Sequence, residues 1–207
     1  MAHRRRIAQV KAPRYAAWDY WGRPVPSFGD PLARLLVIGL APAAHGGNRT
    51  GRIFTGDRSG DWLFEALHDF GFANQAESTH RMDGLRLTDC YVTAAARCAP
   101  PDNKPLKEEL FNCRTYLLQE LSLLKRLKVV VALGQIAFKT FMACRKERGE
   151  PIPGKPLRFG HRLVYRLPEG ITLIASYHPS QQNTLTGRLT RPMFHAVFRH
   201  ARRCIDN

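Results

Sequence analysis

The stretch LIASYHPSQQNTLTGRLT, residues 173–190, passes from aliphatic residues into His178 and Pro179 and then into a series of uncharged hydrogen-bonding side chains. Ser180, Gln181, Gln182, Asn183, Thr184 and Thr186 offer hydroxyl and amide groups, and Arg188 carries the first charge. Such a set suits phosphate oxygens, base edges and a planar leaving group, because it donates hydrogen bonds without adding negative charge. A lone histidine at the end of an apolar run is most often a structural group; the donors behind it are what point to a ligand. A second stretch, GLAPAAHGGNRTGRIFTGDRSG (Gly39–Gly60), is rich in glycine. Its glycines permit close backbone approach, and TGDRSG reads as a helix start, capped by Asp57, where an anion is welcome. Phe54, a ring among glycines, makes a stacking platform for a planar ligand. The stretch contains neither a Walker loop nor GxGxxG, which counts against nucleotide hydrolysis. In a third stretch, YVTAAARCAPPDNKP (residues 91–105), Arg97, Lys104 and two prolines read as a backbone-contacting rim.

The elements that would hold these stretches are legible. Four short apolar runs, RLLVIGLAP, DCYVTAAARC, KVVVALG and ITLIASYHP, are rich in β-branched or small residues and end at turn residues, as strands do. Between and after them lie helical patterns: GDWLFEALHDF, the leucine-rich stretch from Pro105 to Arg126, GQIAFKTFMAC, and a closing RPMFHAVFRHARRC. Alternating strands and helices predict a three-layer α/β/α sandwich around a mostly parallel four-stranded sheet. Ligands of open α/β sheets bind beyond the carboxyl ends of the strands, where all three stretches begin. The prolines Pro151, Pro153 and Pro156 mark a loop. At 207 residues without repeats, one domain over 1–207 is expected, with a basic segment 1–30 packing on it.

Charge narrows the partner. Lys and Arg number 32 against 17 Asp and Glu, a net +15, and such an excess favours polyanions, nucleic acid above all. The basic N-terminus lacks the apolar core of a signal peptide, and no run reaches the ~20 apolar residues of a membrane span. A cytoplasmic monomer is the expectation. The five cysteines, without CxxC, argue against a disulfide framework.

The three stretches resemble motifs of the uracil-DNA glycosylase superfamily, and are most similar to its family 5, also called type B; YWGRPVPSFGDP and VVVALG extend the similarity. The resemblance implies an enzyme that flips uracil out of DNA and hydrolyses its N-glycosidic bond, with no cofactor at the reacting atoms. It casts Phe54 as the stacking ring, the backbone N–H groups of Leu40 and Ala41 as holders of the base carbonyls, and His178 as donor to the departing base anion. Leu185, or Gln182, would fill the gap left in the duplex. Arg58, Arg97 and Arg188 would contact phosphates, with Ser180, Gln181, Gln182 and Asn183 at the DNA.

Departures matter too. Many relatives carry an aspartate where this chain has Ala41, so Asn48 is expected to position the water. Ala94 replaces the asparagine that reads the uracil edge, which predicts a wider substrate range, including hypoxanthine and 5-substituted uracils. The resemblance also implies a structural [4Fe–4S] cluster on four cysteines. Cys98 and Cys113 stand where the later pair is expected, but no cysteine precedes Cys90, so no intact cluster is expected here. Two rival readings remain: a non-catalytic module for damaged or single-stranded DNA, and a hydrolase of free nucleosides.

Overall fold

A computed structural model describes residues 2–151 and 156–207; the expectation at Pro153 lies outside them. In chain order the elements are α1 (Ala2–Val10), β1 (Phe28–Gly29), β2 (Leu35–Gly39), α2 (Gly47–Thr50), α3 (Arg58–Asp69), β3 (Cys90–Ala94), α4 (Lys107–Leu123), β4 (Val129–Leu133), α5 (Gln135–Glu147), β5 (Val164–Arg166), β6 (Thr172–Ser176), α6 (Gln181–Leu185) and α7 (Arg191–Asp206). The sheet order is β1-β3-β2-β4-β6-β5.

The four expected strands β3, β2, β4 and β6 form the parallel centre, and short antiparallel strands β1 and β5 extend it to six. β2 and β4 are buried over their whole lengths, as strands covered on both faces must be. Their side chains alternate between two cores. Leu35, Val37, Val129, Val131 and Ile174 pack with Leu63, Leu67, Phe194 and Phe198 of α3 and α7. Leu36, Ile38, Val130, Ala132 and Leu173 pack with Leu117, Phe138 and Phe141 of α4 and α5 on the other face. The period-two pattern of each strand thus supplies both faces of a three-layer sandwich. No helix among the described residues is long and apolar enough to cross a membrane.

The order of strand succession reverses between the parallel β2 and β4: β2 leads outward to β3, and β4 leads the other way to β6. Open parallel sheets bind ligands at this switch point. The N-terminal segment packs beside it, with Trp21 N–H bonded to the Arg49 carbonyl at 3.0 Å and Val25 N–H to the Arg97 carbonyl at 2.7 Å. Arg49 lies 4.0 Å from both the Tyr15 and Trp18 rings, which fastens that segment further.

Candidate active site

Two rings meet over the switch point. Phe54 is held at φ 53° just before α3, and its ring lies on the backbone at the end of β2. A Cβ on Gly39 would come within 2.5 Å of Phe54 Cζ, so only glycine admits the ring there. His178 follows β6 and rests against Gly134, the turn after β4, where an added Cβ would sit 3.5 Å from His178 Cβ. The two rings stack with centroids 5.8 Å apart and planes at 24°. Burial lowers the His178 pKa to about 4, so the imidazole is neutral at pH 7, a hydrogen-bond donor rather than an acid. The His178 carbonyl accepts from Asn183 Nδ2 at 2.8 Å, and Ser180 caps α6 by accepting from Asn183 N–H at 3.4 Å. These two side chains hold the histidine loop.

A cavity of about 560 Å³ is walled by segments from across the chain. His45, Gly46 and Asp57 come from the glycine-rich stretch, with Arg58 at its rim; Gln181 comes from the loop after β6, and Tyr15 from the N-terminal segment. Phe54 and His178 are not among the residues that wall it. Asp57 caps α3, its Oδ1 accepting from Ser59 N–H at 2.9 Å and Gly60 N–H at 3.1 Å, while its Oδ2 lies against Gly46. Burial pushes its carboxyl above the usual range, opposed by those N–H groups. His45 Nδ1 pairs with the Tyr20 hydroxyl at 2.9 Å, and burial, Arg14 and Arg49 lower its pKa.

Leu40 and Ala41 stand half-buried at the β2 end, and Ala94 ends the neighbouring β3 opposite Gly39, so these three are brought together as expected. Gln182, Leu185 and Arg188 are exposed on and after α6, Leu185 at 67%. Arg188 packs over the Tyr177 ring at 4.6 Å.

Two expectations need correction. Arg97 does not reach a rim: it is buried, ion-paired with Glu120 of α4 and bonded to the Val25 carbonyl. Glu120 also accepts from Thr93 at 2.7 Å, and a guanidinium so enclosed is unavailable to phosphate. Asn48 is fully buried, and its Nδ2 is tied to the Arg4 and Ala44 carbonyls at 3.2 and 3.4 Å. It fastens α1 to α2 and does not wall the cavity. Asp57 is both cap and cavity wall, and the two roles leave the same trace in TGDRSG, with nothing local to separate them.

Cys98 and Cys113 lie close together, Cys113 Sγ accepting at 3.4 Å from the N–H of Arg97, the residue before Cys98. Arg4 of α1 comes within electrostatic reach of Cys98. Among the described residues no group of three or more His, Cys, Asp or Glu side chains could hold a metal ion. Two thiols do not fit a four-thiolate iron–sulfur cluster.

Comparison with known proteins agrees with this architecture. The model of the uracil DNA glycosylase superfamily matches residues 26–202, and the chain belongs to that superfamily. Within it, the chain is similar to type-5 members. The type-5 uracil-DNA glycosylase of Thermus thermophilus is 53% identical over 205 residues, covering 92% of this chain and 91% of that one. That of Mycobacterium tuberculosis is 47% identical over 201 residues, 97% and 74% of the two chains. That of Pyrobaculum aerophilum is 46% identical over 188 residues, 91% and 79%.

Proposed function

We propose that this protein is a monofunctional DNA glycosylase that takes uracil out of the DNA stack and hydrolyses its N-glycosidic bond, leaving an abasic site. The observation that carries the reading is a neutral imidazole, His178, beside the ring of Phe54 at the switch point of the sheet. Cleavage leaves a base anion with charge on its carbonyl oxygens and a sugar with oxocarbenium character. A neutral N–H donor aimed at the anion stabilises it without having to lose a proton first. A base cannot lie between the two rings, because two stacking distances of about 3.5 Å exceed the 5.8 Å separation. The base therefore stacks on Phe54 and meets the imidazole at its edge, with the Leu40 and Ala41 backbone beside its carbonyls.

Asp57, which caps α3 in the wall of the cavity, is assigned the orienting of water, the role Ala41 cannot fill. Ala94 brings no amide to the base edge, so the substrate range extends to hypoxanthine and 5-substituted uracils. Arg58, Gln181, Gln182 and Arg188 meet the DNA, and Leu185, exposed at the end of α6, fills the gap in the duplex. The protein works as a cytoplasmic monomer, and the chemistry draws on no cofactor.

The test is incubation with a uracil-containing oligonucleotide followed by alkali, which breaks the strand only where an abasic site has formed. His178→Ala should slow excision on the order of 100-fold, as loss of an oxyanion-type donor does. Excision within threefold of the parent rate would refute the assignment.

A further inference from the structure

His161 lies outside the three stretches that carry the chemistry. It sits in the turn before β5, and that turn is bonded to the end of β6: Arg162 N–H donates to the Ala175 carbonyl at 2.8 Å, and Ala175 N–H to the Leu163 carbonyl at 2.9 Å. This pairing brings the His161 ring to Ser176 and Tyr177, immediately before His178. Its Nδ1 accepts the Tyr177 backbone N–H at 3.2 Å and lies 3.5 Å from Ser176 Oγ. Ser176 Oγ in turn donates to the Tyr177 carbonyl at 2.9 Å. The His161 ring stacks on Tyr177, with centroids 5.1 Å apart and planes at 28°.

These bonds have a common effect. The β5–β6 pairing ends at Val164 and Ile174, so the Tyr177 N–H lies beyond that ladder, in a part-buried place where an unmet donor is costly. His161 meets it. With Nδ1 as acceptor, the neutral ring carries its proton on Nε2, which is buried and lacks a hydrogen bond of good geometry. The Met193 carbonyl still acts on the ring as a weak acceptor, and burial lowers the His161 pKa.

We infer that His161 is a positioning residue for His178: by gripping the Tyr177 amide and stacking on its ring, it fixes the segment from which the His178 imidazole projects. This rests on the reading of His178 as donor to the departing base. Three contacts then lock the segment in sequence: His161 on Tyr177 N–H, Ser176 on the Tyr177 carbonyl and Asn183 on the His178 carbonyl. Releasing the first lets the peptide turn, and misplacing a catalytic group by about 1 Å can cost on the order of 100-fold.

His161→Phe keeps a stacking ring and removes the acceptor, whereas His161→Asn can restore an acceptor through its amide oxygen. With uracil-containing single-stranded DNA, single-turnover excision by H161F should fall roughly 10- to 100-fold while Kd for DNA stays within threefold. H161N should return to within threefold of the parent rate. The ring ¹⁵N shifts of His178 should move in H161F and return in H161N, which a merely structural role for His161 would not produce. In the parent protein a ¹⁵N–¹⁵N coupling across the Tyr177–His161 hydrogen bond provides a test that requires no variant to fold. Parent-like excision by H161F, no recovery in H161N, a Kd that weakens in step with the rate, or absence of that coupling would overturn the inference. Failure of the underlying reading looks different: H178A would then excise at the parent rate.

Discussion

The protonation state of His178 can be tested through stability as well as rate. Burial lowers its pKa from 6.5 to about 4 in the folded protein. Between those values the unfolded chain binds a proton that the native state refuses, so stability must fall as pH drops from 6.5 and level off below about 4. Each pH unit of that gap is worth about 1.4 kcal/mol, which puts the full loss near 3 kcal/mol. At pH 4.5 most of it should already be gone. His178→Gln removes the titrating group and keeps an N–H donor. Urea unfolding of both proteins at pH 7.5 and 4.5 isolates the effect, because other groups cancel in the difference. The parent should lose about 2–3 kcal/mol more than the variant on acidification. The kinetic counterpart is a single-turnover rate that does not rise as pH falls from 8 to 6, since the donor is neutral throughout. An imidazolium-dependent step would instead accelerate about tenfold per unit above the pKa. A stability difference unchanged within about 0.5 kcal/mol, or such an acceleration, would refute the neutral donor.

Three further outcomes follow from the same geometry. The Arg52–Asp83 pair, 2.6 Å apart and buried at 4% and 8% side-chain exposure, anchors the loop before β3; Asp83→Asn should cost about 3–5 kcal/mol in urea unfolding at pH 7. Burial alone would raise the Asp83 pKa, but Arg52 and the N–H groups of Leu85 and Thr79 hold it below the usual range; this stabilisation is present above about pH 4, so the cost of D83N should shrink on acidification below that. Arg58→Gln and Arg188→Gln should each lower the slope of log K against log salt for DNA binding by about one, whereas Arg97→Gln should leave the slope alone and lower the unfolding free energy by about 3 kcal/mol, since the largely enclosed Glu120 carboxylate would keep only the Thr93 hydroxyl and lose its counter-charge. Asp57→Asn, which preserves an acceptor for the α3 cap, should keep DNA binding and reduce single-turnover excision by 10-fold or more.

What the sequence disclosed and what it hid divide along a physical line. The four central strands and their covering helices were legible because burial on both faces leaves dense apolar runs with turn residues at their ends. The edge strands were not: β1 has two residues and β5 three, too short to carry a period, and their partners lie far away in the chain. Arg97 was misjudged for a related reason. A basic residue in a proline-rich loop looks like a phosphate contact until α4 brings Glu120 against it. Asn48 was hidden by α1 in the same way. His161 had no motif around it at all, because its partner is a backbone N–H and backbone groups leave no mark in composition. Within the loop after β6 no carboxylate stands between Tyr177 and Thr190. The cavity, however, is assembled from distant segments, and its wall takes Asp57 from the end of the glycine-rich stretch, Asp61 from α3 and Asp102 from the loop after β3. This separation matches the charges that glycosidic cleavage creates. The departing base becomes an anion and is best met by uncharged donors, whereas the sugar left behind becomes cationic and is stabilised by a carboxylate, which can also orient the water that attacks it. A fold that supplies the two environments from different strand ends can favour both halves of the transition state at once, which no single stretch of this sequence could do.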